Sequence, residues 1–226
     1  IVAYSQTGNG NSCAVTTSTG NTPPSVTTSG SSFNIPKQTP FSLTANATDV
    51  NNDSITYDWQ EYDLGGSTTA VPNTDSDGTA RPIFRPYLPT VGGTRTFPSL
   101  QYILNNANVP PSSAGGLLTG ELLPAISRTM NFQVVARDNR ADGGGINTAT
   151  TQVVVDGNSG PFVVTSPNTN VSIPGGSQQT ITWNAANTAT APVNATVVRI
   201  SLSTDGGNTF PIFLRGATPN DGSETV

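Results

Sequence analysis

The chain has 226 residues, 14 acidic against 9 basic, for a net charge of -5, and only 10% of its residues are charged. It has no histidine and a single cysteine, Cys13, which excludes His-based triads, His-ligated zinc, internal disulfides and cysteine metal clusters. The acidic balance argues against nucleic acid and anionic membrane surfaces, and no run approaches the ~20 apolar residues of a membrane span.

With so little charge, Ser, Thr, Asn and Gly must keep the surface wet. That habit is common among extracellular β proteins and points to a secreted or cell-surface protein. No signal peptide opens the chain. Ile1 starts mid-stream and "GSETV" reads as a turn into a new strand, so a fragment of a longer secreted precursor is expected.

Residues 1–32 are rich in Ser, Thr, Gly and Asn around Pro23 and Pro24, the composition of a linker leaving an upstream domain. Strands follow. "FSLTANATD" turns Phe41, Leu43, Ala45 and Ala47 one way, and "SITYDWQEYD" does the same with Ile55, Tyr57, Trp59 and Glu61. Residues 64–128 carry "RPIFRPYLP" and a short helical pattern at "FPSLQYILNNA". They read as an insertion with one edge strand and one helical turn. "TMNFQVVARD" then presents Met130, Phe132, Val134 and Ala136, and "TATTQVVVD" closes the series. The first core is expected from Phe41, Leu43, Ile55, Tyr57, Trp59, Phe132, Val134 and Val154. After the break "DGNSGPF" a second core is expected from Ile181, Trp183, Val198, Ile200, Leu202, Phe210, Ile212 and Leu214. The predicted fold is all-β, with two immunoglobulin-like or fibronectin-like β-sandwich domains. Residues 33–157 form the first, with the insertion, and 158–226 a smaller second one, short of a strand at its C-terminus.

Three chemistries deserve weighing. Asp58, Glu61, Asp63 and Glu121 are acids of the type glycosidases use, but nothing in the sequence sets two of them across a cleft. A buried acid among them should instead hold an arginine such as Arg128 or Arg137. Calcium has better candidates. Asp49, Asn51 and Asp53 alternate in "DVNND", as do Asn73, Asp75 and Asp77 in "NTDSDG", with Asp138 and Asp142 available at the same end of the sandwich. Gln60 and Phe84 stand where an EF-hand would carry its glutamate, and Asp and Asn also favour turns for their own sake. Phe84 and Tyr87 are candidate sugar-binding aromatics, with a core role as the alternative. Finally, "SLSTDGGNTF" has the spacing of an Asp-box at Ser203, Asp205, Gly207, Thr209 and Phe210, known from propeller glycosidases. No propeller-length repeat accompanies it. It is read as a structural turn whose Asp and Thr bind local backbone while the aromatic packs beneath.

Taken in order, "IVAYSQTGNGNSC", "TGNTPPSV", "IPKQTPFSLTANATDVNNDSITYDWQEYD", "DSDGTARPIFRPYLP", "RTFPSLQYIL", "ELLPAISRTMNFQVVARDN", "GPFVVTSPN", "QTITWNAANT", "VRISLSTDGGNTF" and "ATPNDGSETV" carry a likeness along nearly the whole chain. The chain resembles the region after the catalytic domain in secreted reprolysin-like zinc metalloproteases of Bacteroidetes. The resemblance implies tandem immunoglobulin-like domains in a non-catalytic accessory role. It places zinc on an upstream His-Glu-x-x-His helix that is absent here, and the partner of Cys13 upstream as well. It makes the upstream protease domain a partner of this region, with a protein or polysaccharide substrate as a further one. Ala195 stands where relatives are expected to carry cysteine. A cell-surface adhesin or polysaccharide-binding module is the alternative.

Overall fold

The computed structural model describes residues 8–13, 17–65, 81–104, 113–114 and 117–226. It is all-β, with several sheets that are consistent with a β-sandwich architecture. In chain order the first strands are β1 (Ser25–Thr28), β2 (Ser32–Pro36), β3 (Phe41–Thr48), β4 (Thr56–Glu61) and β5 (Thr94–Phe97). A short helix α1 (Leu100–Leu104) follows, then the two-residue strands β6 (Ser113–Ala114) and β7 (Leu117–Leu118). The long strands β8 (Arg128–Arg137) and β9 (Ile146–Asp156) complete the group.

One sheet has the order β1-β3-β5 and the other β2-β9-β8-β4. Pairing is antiparallel except between β2 and β9, which run parallel from Ser32↔Gln152 to Pro36↔Asp156. The inward faces follow from period-2 side-chain alternation. Leu43 and Ala45 of β3, and Met130, Phe132, Val134 and Ala136 of β8, are buried, as the alternation predicts. Phe41, Phe84, Phe97 and Phe132 form the aromatic centre. Phe41 stacks on Phe97 at 5.0 Å, and Phe97 meets Phe132 edge-on at 4.9 Å. Each such pair adds roughly 0.5–1.5 kcal/mol to what burial alone gives.

Two expectations need correcting here. On β9 the buried residues are Val153 and Val155, while Val154 is half-buried. Three consecutive valines leave the phase open, and pairing decides it: Val153 lies between Phe33 and buried Met130. The other correction concerns the lead. Within residues 1–32, Ser25–Thr28 is strand β1, paired with β3. Just before it, Asn21 Nδ2 donates to Asp138 Oδ2 at 2.6 Å and to Gly143 O at 3.0 Å. Asn147 Nδ2 donates to Pro24 O. This part of the lead is pinned to the β8–β9 loop, where a Cβ on Gly145 would stand 2.7 Å from Pro23 Cα. Within 64–128 the described residues hold β5 as an edge strand on β3, α1 as a helical turn and, beyond the one strand expected, the β6–β7 pair.

The remaining strands are β10 (Val163–Ser166), β11 (Thr180–Asn184), β12 (Val197–Leu202), β13 (Ile212–Pro219) and β14 (Ser223–Thr225). They form a β10-β11-β14 sheet and a β12-β13 pair. Trp183 is buried and donates from Nε1 to Asn220 Oδ1, while Asn220 Nδ2 reaches Thr188 Oγ1 and Ala195 O. The expected second core is only half closed. Ile181, Val198 and Ile200 are half-buried, whereas Leu202, Phe210, Ile212 and Leu214 remain 37–55% exposed. A cleft of about 520 Å³ lies among Val164, Trp183, Val198, Ile200 and Leu214.

Candidate functional site

Period-2 alternation puts Glu61 on the same inward face of β4 as Tyr57 and Trp59, opposite buried Phe132. A carboxylate there must find donors. Its Oε2 accepts from Ile83 N and Phe84 N at 2.8 and 2.9 Å, and its Oε1 faces Arg128 Nη2 at 3.5 Å. Burial pushes Glu61 up to about 8 against the pull of those amides and of Arg128. Glu121, fully buried, makes a second clamp. Its Oε1 accepts from Arg95 Nη2 at 2.8 Å and its Oε2 from Ser99 N at 2.7 Å. Burial raises its pKa as well, with Arg95 opposing. Asp63 accepts from Asn131 N and Nδ2. Three of the four candidate acids thus fasten the insertion and its flanks to the sheet. Arg128 is the partner expected for one of them, and Arg95 is the partner of another.

No motif in the sequence marks Arg95. It organises the outer side of the insertion, donating to Trp59 O at 2.8 Å, Arg85 O at 2.7 Å and Glu121. Its guanidinium lies 4.9 Å from the Tyr87 ring and 4.4 Å from the Phe97 ring. The available signal was its phase. In "TRTF" Arg95 shares a face with buried Phe97, and a cation so placed calls for an acid partner.

Beside β4, between the 87–96 stretch and α1, lies a cavity of about 580 Å³. Asp58, Trp59, Tyr87, Leu88, Arg95 and Leu100 line it. Asp58 is the fourth candidate acid and is 8% exposed. Its Oδ2 accepts from Gln60 Nε2 at 2.6 Å, while its Oδ1 is buried with no hydrogen-bond partner. Arg95 Nε and Tyr87 Oη are also buried without one. The Tyr87 hydroxyl lies beside Arg85, whose pKa it raises. Phe84, one of the two candidate sugar-binding aromatics, is not here: it is 2% exposed and belongs to the core. The other, Tyr87, borders the cavity.

The first calcium candidate is occupied by protein donors. Asp49 Oδ1 accepts from Asn51 N and Asp53 N, Asn51 Oδ1 from Thr22 N, and Asp53 Oδ2 pairs with Arg140 at 3.4 Å. Asp49 Oδ2 is buried without a donor. Several of the oxygens that calcium would draw on thus already accept hydrogen bonds from the protein. Asn73, Asp75 and Asp77 lie outside the described residues. Asp138 accepts from Asn21, Arg140 N and Gly145 N, bonds that keep it below the usual carboxylate range, with Asn21 the largest influence. Asp142 is exposed. Among the described residues no group of three or more His, Cys, Asp and Glu stands together as a metal site.

Ser203, Asp205, Gly207 and Thr209 close one turn. Asp205 Oδ1 accepts from Thr209 N at 2.9 Å and Ser203 Oγ at 2.7 Å, and Asp205 Oδ2 accepts from Thr209 Oγ1 at 2.6 Å. Ser203 Oγ in turn accepts from Gly207 N. Those donors, Thr209 foremost, bring Asp205 down to about 2. Phe210 does not pack beneath the turn, since it is 55% exposed. Gly207 sits against α1 instead: a Cβ there would stand 2.5 Å from Leu104 Cδ2. Cys13 ends a short 3-10 turn, Asn9–Cys13.

The chain matches no protein-family model and no curated protein.

Proposed function

We propose that this chain is a non-catalytic accessory region of a secreted zinc metalloprotease, built of two immunoglobulin-like sandwiches at about 33–157 and 158–226. It spaces and steadies an upstream catalytic domain and presents a surface to substrate. The observation that carries the non-catalytic part is the use of the acids. Glu61, Asp63 and Glu121 each accept hydrogen bonds from main-chain amides, so they brace the insertion and are poorly placed to trade protons with a substrate. The metalloprotease parent rests on the sequence resemblance alone. In this reading zinc belongs upstream, as does the partner of Cys13. Sequencing the gene on both sides tests the parent. A His-Glu-x-x-His-x-x-Gly-x-x-His motif upstream is expected, and its absence overturns the reading. The second reading, an adhesin-like or polysaccharide-binding module, is favoured by one observation, the cavity beside β4.

A further inference from the structure

The chain crosses from one group of sheets to the other between Asp156, where β9 ends, and Val163, where β10 begins. Folded units joined by a short exposed segment swing on it by default, and a free segment leaves its main-chain N–H groups to water. Here every one of those groups has a protein acceptor. Gly157 N donates to Ser127 Oγ at 2.9 Å, Asn158 N to Asp156 Oδ1 at 3.0 Å and Ser159 N to Asp156 O at 3.4 Å. Gly160 N donates to Ala186 O at 2.8 Å and Phe162 N to Thr39 Oγ1 at 3.0 Å, while residue 161 is proline and has no N–H. The acceptors are divided between the two groups: Ser127 and Thr39 belong to the first, Ala186 to the second.

Carbonyls of the crossing are held as well. Lys37 is the only lysine of the chain. It donates from Nζ to Gly157 O at 2.9 Å and from its main-chain N to Ser159 O at 3.0 Å. Asn187 Nδ2 donates to Asn158 O at 3.3 Å. Ser159 is 1% exposed. Gly160 has φ +91°, and a Cβ there would stand 2.8 Å from Pro36 Cβ and closer still to Lys37 O, so the crossing is packed against the end of β2.

A second contact uses other elements. The Ser203–Thr209 turn, shaped by its own hydrogen bonds, sets Gly207 against Leu104 of α1 with no room for a side chain between them. A single point of attachment permits rotation about itself, and a second on different elements restricts it.

We propose that the two groups of sheets are locked into one rigid strut, by a clasp of Lys37, Thr39 and Ser127 on residues 157–162 and by the Ser203–Thr209 turn braced on α1. The lock gives the proposed spacing role its physical basis and rests on that reading for its purpose alone. The upstream zinc motif tests the parent, and the lock is tested on the chain itself.

The test is NMR of the whole chain, with residual dipolar couplings and amide hydrogen exchange. One alignment tensor should fit the strands of both groups. The amides of residues 157–160 and 162 should exchange at least about a hundredfold more slowly than free amides. Lys37→Met with Thr39→Val opens the clasp, and Leu104→Asp opens the brace at a side chain 37% exposed, where folding is not at stake. Leu104→Asp alone should reduce the alignment of 163–226 relative to the first group. All three changes together should give two tensors and speed exchange at 157–162 at least tenfold. Three outcomes overturn the proposal: two tensors in the wild type, free exchange at 157–162, or one unchanged tensor in Leu104→Asp and in whichever of the combined variants folds.

Discussion

A carboxylate with three donors and a carboxylate sealed in a core answer pH in opposite ways. Asp205 is bound by Thr209 and Ser203 and sits at about 2, so the turn stays intact through mild acid. Its NMR titration midpoint should fall near 2, and Thr209→Val should move it up towards the ordinary value. Glu61 is the reverse case. Its folded pKa is raised from 4.5 to about 8 by burial, so the folded state holds a proton that the unfolded chain has released between those values. Stability from this group is therefore fully present below about 4.5 and drains away as pH rises towards 8, by up to roughly 5 kcal/mol. Melting curves of wild type and Glu61→Gln between pH 5 and 9 should show this. The fall with pH in the wild type should be much shallower in the variant.

At the scale of strands, the insertion is held by contacts that propensity cannot supply. β5 is four residues long and α1 five, too short to persist alone. Glu121 ties them to the sheet through Arg95 and Ser99. Glu121→Ala should leave Arg95 with an uncompensated buried charge and cost about 3–5 kcal/mol, read by urea denaturation. Phe132→Ala, at the centre of four rings, should cost about 3–5 kcal/mol in the same assay. Gly93→Ala should be at least as damaging, since its Cβ would stand 2.1 Å from Ala45 O. The strands themselves were legible in the sequence, because alternation at Phe41–Ala45 and Met130–Ala136 is a local signal. Other features were not legible, for definable reasons. "TTQVVVD" has no polar residue among its valines to set the phase. The lead looks like a linker until Asn21 is seen on Asp138. Phe84 looks like an exposed aromatic until Glu61 is seen fixing its backbone amide. The cavity was only half legible, because Tyr87 and Asp58 stood out by type, but the role of Arg95 depends on carbonyls from distant segments.

Over the whole molecule, the two groups of sheets differ sharply in closure. The first has a sealed aromatic core, while the second leaves Leu202, Ile212, Phe213 and Leu214 more than a third exposed. A dye such as ANS should therefore bind the chain, and Leu202→Ser with Ile212→Ser should cut its fluorescence with little change in the first melting transition. The strand order of the first group has a consequence for synthesis, which runs from the N-terminus. Once residue 97 has emerged, β1, β3 and β5 can pair, and their sheet presents Phe41, Leu43 and Phe97. The strands that cover this face, β8 and β9, are made much later, and β2 finds its parallel partner only at residues 152–156. A half-made chain thus carries an oily sheet and two unmatched strands for the whole interval in which the insertion is translated. Cells making this protein need to shield that nascent surface, and a ribosome stalled within the insertion would yield a species far stickier than either an earlier or a finished product.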